Sequence, residues 1–123
     1  MAQIIMLAIA GALGTLSRHA LGNAVHRLSG DAVWGTWAVN ILGCFLFGVA
    51  TALAEKRLEI SNEMRLIILT GFMGAFTTFS TFIFETGNMI RSAQWGPALV
   101  HAAGQILVGM VFLFLGLTVA QRL

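Results

Sequence analysis

The sequence has few of the residues that cover the surface of a soluble protein. Only 10% of its 123 residues are charged, whereas a soluble domain carries about 25%. With 58% hydrophobic residues and a mean hydropathy of +0.87, the chain cannot cover itself with a polar surface. The composition predicts an integral membrane protein whose outer surface contacts lipid. A very apolar soluble subunit of a larger assembly is the alternative.

Other scarcities exclude further classes. The net charge is only +2 and the Lys and Arg residues are scattered, which leaves no basic face for nucleic acid. The single cysteine, Cys44, cannot form an intramolecular disulfide. Cys44, His101 and the few acids do not supply a nucleophile, a base and a group to orient it, which argues against an enzyme. No second His or Cys stands at a ligand spacing from His101, so no transition-metal site is expected.

Four apolar segments are long enough to cross a bilayer, which takes about 20 mostly apolar residues. Short polar connections separate them, among them Ser29-Gly30-Asp31 and the charged stretch 55–63. The predicted fold is therefore all-α, a single transmembrane domain over residues 1–123 with a broken third helix. The predicted helices cover residues 4–25, 34–54, 64–90 and 97–120, with an interruption of the third at 71–78.

The basic residues give only a weak orientation signal. Four lie on the side of the termini and two or three on the other, depending on where Arg18 belongs: Lys56, Arg57, Arg65 and Arg122 against Arg27, Arg91 and Arg18. Such a small positive-inside bias predicts either a slight preference or insertion in both orientations, which would permit an antiparallel homodimer. Trp34, Trp37 and Trp95 begin the second and fourth helices, where tryptophan suits the membrane interface.

The stretch Thr70–Glu85 has a composition that crossing a membrane does not require. Gly71 and Gly74 weaken the helix, and Thr77 and Thr78 can bond the backbone groups that are freed. Unwound backbone at membrane depth survives only where it is buried or lines a cavity. Its carbonyls suit a hard cation, and the next half-helix begins with free N–H groups and a positive dipole end. A simple kink is the alternative.

Polar side chains inside the spans are costly and are therefore functional candidates. Arg18 either extends to the interface or gives a pore mouth positive potential. Asn40 either bonds another helix or offers its N–H groups to an anion. Glu85 is either a transport site or lies close to the interface. His101 and Gln105, at i and i+4, share one stripe that is either a conduction track or a helix–helix contact.

Phe79 and Phe82 stand at i and i+3, on one face of the half-helix after the interruption. Phenylalanine in a membrane helix usually packs or faces lipid. The hydroxyl side chains beside these two favour a second interpretation. The edge of an aromatic ring is partially positive, so it can face an anion without adding a full charge.

Three motifs in combination resemble the Fluc/CrcB fluoride channels. They are GFMGAFTTFSTF at 71–82, GTxxVN at 35–40 and GALGTLSRHALG at 11–22. The resemblance covers nearly the whole chain. It implies a fluoride-selective channel of the bacterial inner membrane that exports fluoride passively and lowers cytoplasmic fluoride. It also implies a dual-topology, antiparallel homodimer with two pores and a central structural sodium ion that is not transported.

The resemblance also implies a role for each motif residue. The sodium ligands would be the backbone carbonyls of Gly74 and Thr77, and Arg18 and Glu85 would lie at the vestibule and mouth of the pathway. The side chains along the fluoride pathway would be Asn40, Phe79, Ser80, Thr81, Phe82, His101 and Gln105.

The chain departs from the family's pattern at three places. Ala75 stands where a second Gly is frequent, and Ile83 stands where Ser is frequent. The track on the fourth helix often begins with Tyr, and this chain has none. His101 and Gln105 would have to serve in its place.

Two other functions fit a small membrane protein. A proton-coupled, dual-topology antiporter of the small multidrug type has a similar length and four spans. Those antiporters carry their essential acid in the first helix, where this chain has Arg18 and no acid. A structural or accessory subunit, whose helices only pack, is the second alternative.

Overall fold

The computed structural model describes residues 1–56 and 60–122, so Arg57 of the charge balance lies outside the described residues. The elements are α1 (Ala2–Ser29), α2 (Ala32–Lys56), α3 (Asn62–Arg65), a π-helix (Leu66–Met73), α4 (Gly74–Phe76), α5 (Phe79–Arg91) and α6 (Trp95–Arg122). The third span, Asn62–Arg91, comprises α3 to α5. All four spans are long and apolar enough to cross a membrane, which confirms the predicted all-α membrane fold with a bent third helix.

The connection between α1 and α2 is only two residues long, Gly30 and Asp31. Gly30 has a left-handed backbone (φ 77°), which glycine adopts without strain, and its N–H donates to the carbonyl of His26 at 2.8 Å. The Asp31 carboxylate accepts from the backbone N–H of Val33 at 3.0 Å and so caps the start of α2. A turn this short makes α1 and α2 antiparallel neighbours.

The third span changes its helical form before it breaks. The π-helix is followed by one turn of α4, and the chain then passes through two residues with extended backbone, Thr77 (φ −81°, ψ 161°) and Thr78 (φ −142°, ψ 98°). Gly71 and Gly74 stay in helical turns. The break is therefore narrower than the predicted interruption at 71–78 and lies at its end. Local π-helical turns occur frequently at functional sites.

The two halves of the third span pack against different helices. The π-helix and α4 lie against α1, whereas α5 lies against α6. Val39 of α2 is buried with Met73 and Phe76 in a small apolar cluster just before the break. The break thus lies where the span passes from one side of the bundle to the other, with α2 alongside.

The most extensive helix contact joins α2 and α6. A Cβ atom on Gly48 would overlap the carbonyl oxygen of Leu113, and one on Gly116 would overlap that of Phe45. Small residues allow membrane helices to approach this closely, and their packing then replaces the hydrophobic driving force that lipid does not provide. At one end of the pair, Lys56 donates a hydrogen bond to the carbonyl of Gln121.

The outward faces of α1 and α6 are apolar. Exposed aliphatic and aromatic side chains follow both helices: Ile5, Ile9, Leu16, Leu107, Met110 and Phe114. Such faces match the hydrocarbon core of a bilayer and would not be stable in water.

Candidate functional site

Asn40 of α2 clamps the break in the third span. Its Oδ1 accepts a hydrogen bond from the Thr78 N–H at 2.8 Å, and its Nδ2 donates to the Thr78 carbonyl at 3.2 Å. The side-chain amide therefore pairs with both backbone groups of one extended residue. Buried backbone groups need such partners at membrane depth, where no water is available.

The clamp has a consequence one turn earlier. In a continuous α-helix the Thr78 N–H would donate to the carbonyl of Gly74. Because this N–H donates to Asn40 instead, the Gly74 carbonyl loses its helical partner. Gly74 is also exposed at the surface of the chain. The predicted sodium ligand Gly74 thus has a carbonyl that is free of this helical bond.

Thr78 also caps the helix that follows the break. Its Oγ1 accepts from the Thr81 N–H at 3.4 Å and donates to the Thr81 Oγ1 at 2.7 Å. This leaves the Thr81 hydroxyl proton for another acceptor, since the Thr81 oxygen is the acceptor in that pair. The first turn of α5 therefore combines a polar surface with the positive end of the helix dipole.

Arg18 reaches the break from α1. Its Nη1 donates to the Thr77 carbonyl, the second predicted sodium ligand, at 3.4 Å. Arg18 also lines a cavity of about 360 Å³ together with Thr78, Thr81 and Glu85. Arg18 and Glu85, the two residues predicted for the vestibule and mouth, therefore face the same cavity, which we call the vestibule.

A line of polar contacts crosses from α2 to α6 beside the break. Asn40 Nδ2 donates to Gln105 Oε1 at 2.8 Å, and Gln105 Nε2 lies 3.3 Å from His101 Nε2. Trp37 Nε1 donates to His101 Nδ1 at 2.9 Å. The predicted stripe of His101 and Gln105 faces the bundle interior, and its side chains are buried.

Glu85 joins this polar line to the vestibule. Its Oε1 accepts from the Thr36 hydroxyl at 2.7 Å, and its Oε2 lies 3.5 Å from His101 Nε2. A charged or polar group at membrane depth is expensive unless it has such partners. Glu85 is therefore part of the buried polar cluster, and not an acid that belongs only to the membrane interface.

The two predicted phenylalanines touch, with ring centroids 5.8 Å apart, but differ in environment. Phe82 is 6% exposed and packs on the His101 ring at 5.3 Å, whereas Phe79 is 75% exposed. Both line an open groove of about 320 Å³ that Asn40 and Gln105 also reach. Since Thr78 lines the vestibule and Asn40 lines the groove, their hydrogen-bonded pair lies between the two cavities.

Most of the predicted site residues therefore lie around the break. Among the predicted residues of α5, Ser80 is the exception, because it is exposed and lines neither the vestibule nor the groove. His101 of α6 also lines neither cavity, but it is buried in the polar line. Thr36 and Trp37 were missed as site residues. Trp37 was expected at the membrane interface, but its indole turns inward to His101. Its position one turn before Asn40, on the face that Asn40 occupies, was the available signal.

Together, the fold and the site define a small polytopic membrane protein whose third span is broken around a buried polar cluster with a cavity on each side. A family model described as "CrcB-like protein, Camphor Resistance (CrcB)" matches residues 5–117. The chain belongs to the CrcB family.

Similar proteins match over nearly their full lengths. One from Nitrosococcus oceani, named "Fluoride-specific ion channel FluC", is 55% identical over 120 residues, or 97% of this chain and 96% of the relative. Relatives of the same name come from Nitratidesulfovibrio vulgaris (45% identical; 95% of each chain) and Solidesulfovibrio magneticus (46% identical; 94% of this chain and 93% of the relative). All three are bacterial, and this chain is a multi-pass protein of the bacterial inner membrane.

Proposed function

We propose that this chain forms a fluoride-selective channel that lets fluoride leave the cytoplasm passively. The name of the similar proteins gives the ion. The observation that carries the proposal is the Asn40–Thr78 pair, a polar break at membrane depth with the vestibule on one side and the groove of the two phenylalanines on the other. The protein is a transport protein and not an enzyme.

Fluoride is small and strongly hydrated, so a pore must replace its water with hydrogen-bond donors. A full positive charge along the path would bind the ion too tightly to release it. Uncharged donors and ring edges solve this, because they stabilise an anion without a fixed charge. Arg18 stays at the vestibule, where positive potential attracts anions.

The donors that fluoride meets differ along the pathway. In the vestibule, the Thr81 hydroxyl keeps a proton for an anion. In the groove, the Gln105 amide and the edges of Phe79 and Phe82 line the path. Both N–H bonds of Asn40 are already used by Thr78 and Gln105. Asn40 therefore acts first as the clamp that holds the wall, and would donate to fluoride only by giving up one of these bonds.

The groove supports an antiparallel homodimer. It is open in the single chain, and Phe79 in its wall is an exposed aromatic side chain. A second copy that covers the groove would bury Phe79 and close the path, and two-fold symmetry would give two pores. Antiparallel pairing requires insertion in both orientations, in agreement with the weak charge bias.

Dual topology has a direct test. A Cys44→Ser variant removes the single native thiol, and Gln94→Cys then places one in the exposed turn before α6. If both orientations are used, an impermeant thiol reagent outside the cell labels about half of the protein. Complete labelling, or none until the membrane is opened, would contradict the antiparallel dimer.

A structural sodium ion fits the carbonyls at the break. The Gly74 carbonyl is released from its helical partner, and the Thr77 carbonyl has a second lone pair besides the one that Arg18 uses. Hard cations take several oxygen ligands, so the two carbonyls of one chain need two more from a second copy. Bound there, sodium would hold the two breaks together without moving.

Sodium removal tests this site. Exchange of sodium for N-methylglucamine on both sides of the vesicle membrane is expected to abolish fluoride flux and to weaken the dimer, because the shared ligand is lost. Lithium and potassium serve as matched replacements of different size. Full flux and an intact dimer without sodium would argue against Gly74 and Thr77 as ligands.

Efflux from proteoliposomes tests the function. Vesicles loaded with potassium fluoride are expected to release fluoride when valinomycin provides a path for potassium, and a protonophore is expected to leave the rate unchanged. Passive conduction needs no pH gradient. A proton-coupled antiporter, by contrast, would release fluoride only in exchange for protons. Fluoride release that requires a pH gradient and changes the pH inside the vesicles would replace the channel with the proton-coupled alternative.

A further inference from the structure

His101 is the titratable ring of the polar line, and its hydrogen bonds fix where its proton lies. It is 3% exposed and packs on Phe82. The Trp37 indole N–H donates to His101 Nδ1 at 2.9 Å. An indole is a donor only, so Nδ1 must be an acceptor and carry no proton. A doubly protonated ring would set two N–H groups against each other across this distance.

The other ring nitrogen then carries the proton. The backbone of Thr78 fixes the orientation of the Asn40 amide, and Asn40 in turn fixes Gln105 Oε1 as an acceptor. Gln105 therefore turns its NH₂ group, a second donor, toward His101 Nε2 at 3.3 Å. A neutral imidazole can accept at only one nitrogen, and the shorter bond from Trp37 takes that place.

Glu85 supplies the acceptor for this proton. Its Oε2 lies 3.5 Å from His101 Nε2 and is buried without a hydrogen-bond partner among the described residues. An Nε2–H group on His101 gives this oxygen an electrostatic partner at that distance. The groups that face the ring are thus Trp37 from α2, Glu85 and Phe82 from α5, and Gln105 from its own helix, and Asp31 adds the charge of a more distant acid.

We propose that Trp37 is a positioning residue that holds His101 in its neutral Nε2–H form beside Phe82. The role rests on the proposed channel function. With the ring neutral and its Nε2–H turned to Glu85, His101 adds no positive charge behind Phe82, where an imidazolium would hold an anion too tightly for release. His101 then supports the wall of the groove without making the flux follow its protonation.

The position of the indole is built into the packing of α6. The Trp37 ring lies over Gly104, and a Cβ atom there would come within 2.6 Å of Trp37 Cη2. Gly104→Ala would therefore push the indole away without changing any polar atom. This gives a second variant that breaks the same bond by a different route.

Flux measured against pH tests the proposal. Wild-type flux is expected to stay level between about pH 8 and about pH 5.5, a range in which a free histidine titrates. Trp37→Phe and Gly104→Ala are each expected to lose flux progressively toward the acid end, because Nδ1 is then free to take up a proton and the resulting imidazolium would retain the anion. Protein-free vesicles give the background leak of HF at each pH.

Trp34→Phe is the matched control, because this indole is 55% exposed and lies 6.0 Å from Trp37 without bonding His101. It is expected to keep the level wild-type profile. Level profiles for both Trp37→Phe and Gly104→Ala would overturn the proposal. So would a wild-type profile that already falls at acid pH.

Nitrogen-15 NMR of the ring gives a readout independent of flux. His19→Asn and His26→Asn leave His101 as the single labelled histidine of the three. In lipid bilayers, the His101 ring of the protein with native Trp37 is expected to show one protonated nitrogen, Nε2, throughout the pH range. In Trp37→Phe, both nitrogens of His101 are expected to be protonated at acid pH. A proton on Nδ1 beside wild-type Trp37 would overturn the proposal. If the protein gave the expected spectrum but no fluoride flux, the proposed channel function would be wrong, whereas the assignment of the His101 proton to Nε2 would still hold.

Discussion

The two halves of the third span are held in place by different forces. Before the break, the π-helix and α4 pack against α1, and their Met73 and Phe76 side chains, both 3% exposed, are buried in a cluster with Val39 of α2. After the break, α5 is held by polar contacts, with Glu85 bonded to Thr36 and close to His101. Between these halves, Asn40 binds both backbone groups of Thr78, one of the two extended residues.

This difference separates stability from transport. Apolar packing places the first half but offers nothing to an ion. The polar contacts of the second half are costly at membrane depth unless they are fully paired, and they are the groups that can replace the water around an anion. Changes in the first half should therefore alter folding, whereas changes at the joint and beyond it should alter flux per folded molecule.

The largest effect is expected at the joint. Asn40→Asp keeps the acceptor for the Thr78 N–H but replaces the donor with a carboxylate oxygen that faces the Thr78 carbonyl and Gln105 Oε1. The cost of an unsatisfied charged contact is about 3 kcal/mol, so flux should fall by about a hundredfold or more. Electrode-recorded efflux measures this. Asn88→Asp makes the same change of charge at an exposed position and should retain wild-type flux.

Met73→Ala, in the first half of the third span, is expected to lower stability and not flux. Removal of this buried side chain leaves a cavity against Val39 and Phe76 and should cost about 2–5 kcal/mol of stability. Thermal unfolding in detergent measures the loss, and Met64→Ala, at an exposed position, is the control. Flux per folded molecule should stay close to wild type. A large loss of flux without a loss of stability would contradict the assignment of the first half to stability and of the second half to transport.

Phe82→Ile is expected to reduce flux by on the order of tenfold, because the ring edge and its contact with His101 are worth about 0.5–1.5 kcal/mol. Phe84→Ile changes an outward-facing ring of the same helix and should leave flux unchanged. Efflux rates of the two variants, normalised to the amount of folded protein, provide the comparison. Equal rates would remove the ring-edge argument.

The smallest effect is expected for Thr81→Val, which removes one hydroxyl of the vestibule and its bond with Thr78 at 2.7 Å. A side-chain hydrogen bond in a membrane protein is worth about 0.6 kcal/mol on average, so a decrease in flux of about threefold follows. Ser80→Ala serves as the control, because Ser80 is exposed and lines neither cavity. A stronger effect from Ser80→Ala than from Thr81→Val would place the path elsewhere.

Sequence patterns were enough to predict the spans, the broken third helix and the buried stripe of His101 and Gln105. Helical periodicity shows which residues share a face, and composition shows which segments suit lipid. Periodicity does not show which neighbour a face meets. That is why the Asn40–Thr78 clamp and the contact of Arg18 with Thr77 could not be predicted.

Trp37 shows the same limit more sharply. Tryptophan near a helix end usually marks the membrane interface, and this rule suits Trp34 and Trp95, which are both exposed. Trp37 lies one turn further along, over a glycine of the neighbouring helix that leaves room for the indole. The role of Trp37 therefore depends on the space that Gly104 leaves for its indole, and not on the residue type alone.

Release of fluoride and of chloride from the same proteoliposomes shows whether the path selects fluoride. Electrodes for the two anions record their release when valinomycin is added in the presence of a protonophore. A fluoride path beside the Asn40–Thr78 pair predicts rapid release of fluoride, retention of chloride, and loss of the fluoride signal with Asn40→Asp. Equal release of both anions, or fluoride release that survives Asn40→Asp unchanged, would contradict a fluoride path beside the broken third helix.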